Sequence, residues 1–99
     1  MNPETLSPEL QNILRVLPFV ADHEGELDLW APDWDGTRDA QIAAGEQHAE
    51  TALAVARRFQ VPALVALILR DMITAGRFGP VEAGFVAAIA SAARVGSYN

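Results

Sequence analysis

The stretch PALVALILRDMITAGRFGPVEAGFVAAIASAARVG, residues 62–96, decides the fold of this 99-residue chain. Pro62 followed by Gly76, then Gly79-Pro80 followed by Gly96, sets proline at the start and glycine at the end of two helices. Proline suits the first helical turn, whose N–H groups have no partner, and glycine suits the left-handed residue beyond the last turn. The spacing predicts helix 3 over about 62–75 and helix 4 over about 80–95, joined by a short connection as an αα-hairpin. Leu64, Val65, Leu67, Ile68, Leu69, Met72 and Ile73 wrap most of helix 3, leaving a thin polar strip of Arg70, Asp71 and Thr74. A helix apolar nearly all round belongs in the middle of a core. Helix 4 has a strong face of Val81, Phe85, Ala88 and Ile89, yet its other side offers Ala83, Ala87 and Ala90, with Glu82 and Arg94 as its only charges.

Upstream, Ile42, Gly45, Ala49, Ala52, Leu53, Ala56 and Phe59 share one arc of an amphipathic helix 2, expected over about 37–60 and capped by Asp35 or Thr37. Ser7-Pro8 reads as a cap with proline at the first helical position, and Leu10, Ile13, Leu14 and Leu17 recur at helical spacing, so helix 1 is expected over about 8–17, with Pro18 as its stop. Between them residues 18–36 lose the helical period. They read as a long acidic loop in which Glu26-Leu27-Asp28-Leu29 would suit a brief extended stretch, though a lone strand pair is marginal in water. Phe19, Val20 and Ala21 could instead prolong helix 1 past a kink. The fold expected is therefore all-α: a single four-helix, bundle-like domain over 1–99.

Composition narrows the function classes. The net charge is −6, and all the carboxylates but Asp71 and Glu82 precede Thr51, whereas five of the seven arginines follow it. Such an acidic total repels nucleic acid phosphates and anionic lipid, so direct binding to either is not expected. There is no lysine, which excludes Schiff-base chemistry, and no cysteine, which excludes disulfides and thiolate metal sites. Met1-Asn2-Pro3-Glu4 lacks the basic and apolar regions of a secretory signal. The longest apolar run, Val61 to Leu69, falls short of the roughly 20 residues a membrane span needs, so a cytoplasmic location is expected.

No catalytic signature emerges. Gly36 in Asp33-Trp34-Asp35-Gly36-Thr37-Arg38-Asp39 resembles a calcium-loop glycine, but that register puts Ala31 and Ile42 where the first and last ligands belong. His48 lies two residues from both Glu46 and Glu50, hence on a different side of a helix from each, which defeats a shared ligand sphere. No nucleophile elbow, phosphate loop or zincin helix is present. Neither a cofactor nor a metal is expected, and the protein is expected not to be an enzyme. Asp71, in the last turn of the most apolar helix, is disfavoured by both the helix dipole and burial, so an ion pair with Arg77 or Arg94 is expected.

Two surfaces remain. Helices 3 and 4 ask for more cover than two amphipathic neighbours supply, which points to a homodimer through Ala83, Ala87, Ala90, Gly84, Ala88 and Ser91. Gly84, Ala88 and Ser91 also form a row of small residues along which backbones can approach closely. The acidic segment with Glu24, Glu26, Asp28, Trp30, Asp33, Trp34 and Asp35 is the candidate surface for a basic protein, since tryptophan favours hot spots and carboxylates steer cations. The function expected is a self-associating protein–protein interaction module. An alternative is an acidic mimic of nucleic acid that fills the groove of a nucleic-acid-binding protein, in the manner of phage-type anti-defence inhibitors. A second alternative is a small enzyme or metal-dependent subunit.

Overall fold

The computed structural model describes the backbone of residues 7–96 and the side chains of residues 7–94; the start of the chain, read above for a secretory signal, lies outside them. Helix α1, Pro8–Leu14, begins as its sequence dictates: the Ser7 hydroxyl accepts the Leu10 N–H at 3.2 Å, and Pro8 opens the first turn. It is shorter than expected. From Val16 onward the chain tightens into successive turns, with the N–H groups of Val16, Leu17 and Val20 donating to the carbonyls of Ile13, Leu14 and Leu17. These turns swing Phe19 fully into the core and leave Val16 outside.

The all-α expectation is corrected here, because a β-hairpin occupies part of the acidic segment. Strand β1, Ala21–His23, pairs antiparallel with β2, Glu26–Asp28, placing Ala21 opposite Asp28, Asp22 opposite Leu27 and His23 opposite Glu26. The two residues between the strands, Glu24 (φ 55°) and Gly25 (φ 92°), both have positive φ. A two-residue loop of this kind matches the right-handed twist of the flanking strands. Gly25 N–H donates to Asp22 Oδ1 at 2.8 Å and tightens it. So short a ladder persists because other elements hold it. Leu27 and Leu29 are buried, the Leu29 N–H donates to Asp71 Oδ2 at 2.9 Å, and the Ala31 N–H donates to the Phe19 carbonyl at 2.8 Å.

Helix α2, Arg38–Arg58, starts at Thr37, whose hydroxyl accepts the Ala40 N–H at 3.1 Å. It ends in a Schellman arrangement: the N–H of Val61 reaches the Ala56 carbonyl, that of Gln60 reaches the Arg57 carbonyl, and Gln60 takes the left-handed conformation. Helix α3, Ala63–Ala75, closes on Gly76 at φ 74°. Helix α4, Pro80–Gly96, carries Glu82 in its first turn, and the Glu82 side chain reaches back to accept the Gly79 N–H at 2.8 Å, one half of a capping box.

Packing departs from expectation at α3. It buries only the row Leu64, Ile68 and Met72, one side of the helix, while Val65, Leu67 and Leu69 are half-buried and Ala66 and Ile73 exposed. The central pair is instead α2 with α4. Gly45, Ala49, Ala52 and Ala56, at steps of four, three and four, present a nearly flat seam on α2. A methyl added at Gly45 would run into the Val81 carbonyl and lie 2.8 Å from the Phe85 nitrogen; one added at Gly84 would run into the Ile42 carbonyl. The two backbones approach that closely because both contact residues lack a side chain. Around this seam Phe19, Trp30 and Phe85 form an aromatic centre, with the rings of Trp30 and Phe85 4.8 Å apart at 65°.

Candidate interaction surfaces

Trp30 and Trp34, both placed by sequence on a recognition surface, are tied to the body of the protein. The indole N–H groups of Trp30 and Trp34 donate to one oxygen, Oε2 of Glu82, at 2.9 and 2.6 Å, while Oε1 takes the Gly79 N–H. Glu82 is only 2 % exposed, and its carboxylate is a hub joining the end of the acidic segment to the first turn of α4. Burial alone would raise its pKa. The hydrogen bonds from Trp34, Trp30, Gly79 and its own backbone N–H outweigh that, and hold the group below the ordinary carboxyl value. Trp30 is buried with its N–H committed, whereas Trp34 is half-buried beneath the guanidinium of Arg77, 4.1 Å from the ring centroid.

The acids of that segment are more exposed than its tryptophans. Glu24, Glu26, Asp33 and Asp35 are exposed and Asp28 is half-buried. Between β2 and α3 lies a cleft of about 380 Å³ lined by His23, Glu26, Asp28, Arg70, Asp71 and Thr74. The carboxylate of Asp71 meets Arg70 at 3.3 Å and the Leu29 N–H, so its ion pair is with its neighbour in sequence, while Arg77 lies over Trp34. Arg94, the other partner expected for Asp71, is an exposed residue near the end of α4. The Arg15–Asp22 pair at 3.2 Å fastens β1 to the turn after α1.

The residues read for self-association divide between two faces of α4. Ala83, Ala87, Ala90 and Ser91 are exposed; Gly84 is buried against Ile42 of the same chain, and Ala88 is half-buried against the core. The row of small residues thus serves, at Gly84, the internal α2–α4 seam. Large apolar side chains are exposed as well, and of the three on α3, α4 and their connection only Ile73 belonged to an apolar face read from sequence. Phe78, in the α3–α4 connection, is 69 % exposed, Val86 is 46 % and Ile73, on α3, is 67 %. Phe78 borders two shallow hollows. One, of about 320 Å³, is walled by Arg38, Ile42, Pro80 and Ala83; the other, of about 170 Å³, by Glu82, Ala83 and Val86.

His48 is half-buried against the rings of Phe19 and Trp30, at centroid distances of 5.0 and 6.2 Å, and burial lowers its pKa. Glu46 and Glu50, one turn apart, are exposed on another side of α2. Among the described residues no cluster of three or more histidine, aspartate or glutamate side chains could hold a metal ion, and no helix is long and apolar enough to cross a membrane. Comparison with known proteins finds no family model, no curated sequence and no solved structure that matches this chain.

Proposed function

We propose that the protein is a non-enzymatic interaction module that self-associates through the outer surface of α3 and α4 and offers its acidic hairpin to a basic partner. The observation that carries the first half is the placement of the exposed apolar side chains. Ile73, Phe78 and Val86 follow one another along α3, the connection and α4, with Ala83, Ala87 and Ala90 alongside. Phe78 and Val86 border one hollow with Ala83, and clustered exposed apolar side chains of this size mark contact sites. Support for the second half is the exposure of Glu24, in the hairpin turn, and of Glu26 at the start of β2. A chain free of cysteine is also at home in a reducing cytoplasm.

Sedimentation equilibrium over a wide concentration range tests the reading. The parent chain is expected to pass from monomer to dimer, and Ala87→Glu, which sets a charge on the exposed alanine face, to remain monomeric. A monomer at every concentration for both removes the self-association. For the hairpin, binding of an arginine-rich peptide is expected to weaken with rising salt and with joint neutralisation of Glu24 and Glu26; binding indifferent to both removes that half.

A further inference from the structure

Resting on the self-association proposed above, we infer that the contact is isologous and centred on Phe78, each copy's Phe78 entering the hollow walled by the other's Ile42, Pro80 and Ala83. Shape is the first reason. Phe78 protrudes, and the hollow that could receive such a ring lies immediately beside it, sharing Phe78 as one of its own walls. A two-fold axis requires a surface that is its own complement, with residue i of one copy meeting residue j of the other and the reverse. A knob and a hole side by side satisfy this, with the axis passing between them.

Charge is the second and independent reason. Among the described residues the ion pairs are Arg15–Asp22 and Arg70–Asp71, which leaves Arg38, on the wall of the hollow, without a carboxylate partner. Arg77, next to Phe78, is held by the Trp34 ring and likewise lacks one. Asp39, adjacent to Arg38 in the first turn of α2, and Asp35, just before that helix, are exposed acids also outside any ion pair. Both signs therefore stand together at the start of α2, whose Arg38 walls the hollow. A strongly basic partner would meet Arg38 and Arg77; a strongly acidic one would meet Asp35, Asp39 and a molecule already at −6. A second copy brings arginines and aspartates in equal measure, so that each can face its opposite across the axis.

The test uses the full chain with three changes. Phe78→Ser, at an exposed position, is expected to leave the tryptophan fluorescence of the monomer unaltered and to weaken dimerisation at least tenfold. Because the chain has no cysteine, nitroxide labels can be placed singly at Ala43→Cys, one residue beyond Ile42, and at Ala54→Cys, further along α2, both exposed. The distance between labels across the dimer is expected to be shorter at 43 than at 54. A parent dimer that Phe78→Ser leaves equally tight, or labels closer at 54 than at 43, overturns the Phe78 contact while leaving self-association in place. A parent that stays monomeric at every concentration overturns both.

Discussion

The carboxylate of Glu82 accepts the indole N–H of Trp30 at 2.9 Å across 52 residues of sequence, inside a part of the protein where water does not reach either group. Trp34 adds a second indole to the same oxygen, and Gly79 occupies the other. One side chain therefore caps α4 and anchors the segment that follows the hairpin. An unmatched buried N–H costs about 1–3 kcal/mol, so Glu82→Leu, which orphans the Trp30 donor and removes the cap, is expected to destabilise by roughly 3 kcal/mol in urea unfolding. Glu82→Gln keeps one oxygen for the indoles but turns an amide donor toward the Gly79 N–H. Its expected loss is smaller, about 1–2 kcal/mol.

The same carboxylate gives stability a pH dependence of fixed sign. Its pKa in the folded protein lies below the ordinary value of 4.5. The contribution is therefore complete above pH 4.5 and is lost as pH falls toward and through the folded-state value, because the unfolded chain takes up the proton first. Unfolding free energy measured from pH 6 down to pH 3 is expected to fall less steeply for Glu82→Gln than for the parent; parallel curves would show that Glu82 is not a source of the acid sensitivity.

His48 acts at higher pH through burial. Packed against Phe19 and Trp30, it has a pKa lowered from 6.5, so the neutral ring is the form the fold accommodates. Stability from this site is present above pH 6.5 and declines as pH drops through the lowered value, since the unfolded histidine protonates first. His48→Phe keeps the ring contacts and is expected to flatten the stability profile between pH 7.5 and 5.5, as followed by thermal unfolding.

The helix ends were legible because their chemistry is local. Ser7-Pro8, Thr37 and Gly76 each act on backbone groups within a few residues, and each does in the fold what its sequence position implies. The hairpin was harder to read, since Glu24-Gly25 lacks the asparagine or aspartate that usually announces a two-residue turn, and its anchors lie elsewhere in the chain: Asp71 is 42 residues from Leu29. Apolar periodicity overstated α3, because a run of leucine and isoleucine says how much a helix could bury but not how much its neighbours supply. The same limit hid the role of Glu82, whose burial depends on two indoles that no local pattern connects to it.

Gln60 offers a stabilising change. It holds the left-handed position of the Schellman turn after α2 with φ 54°, where a side chain costs about 1–2 kcal/mol. Glycine removes that strain but gains freedom in the unfolded chain, an opposing effect of about 0.4–1 kcal/mol. Gln60→Gly is therefore expected to stabilise by about 0.5–1 kcal/mol in urea unfolding, with no effect on association, since Gln60 lies outside the Phe78 surface.

Gly84 separates internal packing from contact between molecules. If the row of small residues on α4 served another copy, a methyl at Gly84 would alter association and leave the monomer untouched. In the fold that methyl would instead run into the Ile42 carbonyl, with the Ile42 Cα 3.1 Å away, and a backbone cannot turn aside as a side chain can. Alanine's better helix propensity, about 1 kcal/mol over glycine, is too small to offset a forced separation of α2 from α4. Gly84→Ala is expected to lower monomer stability by about 2–3 kcal/mol, measured at concentrations below any dimerisation. The exposed neighbour Ala83→Ser should leave that stability within about 0.5 kcal/mol of the parent. A Gly84→Ala chain as stable as the parent would mean that α2 and α4 do not meet backbone to backbone, and would reopen that face of α4 to a partner.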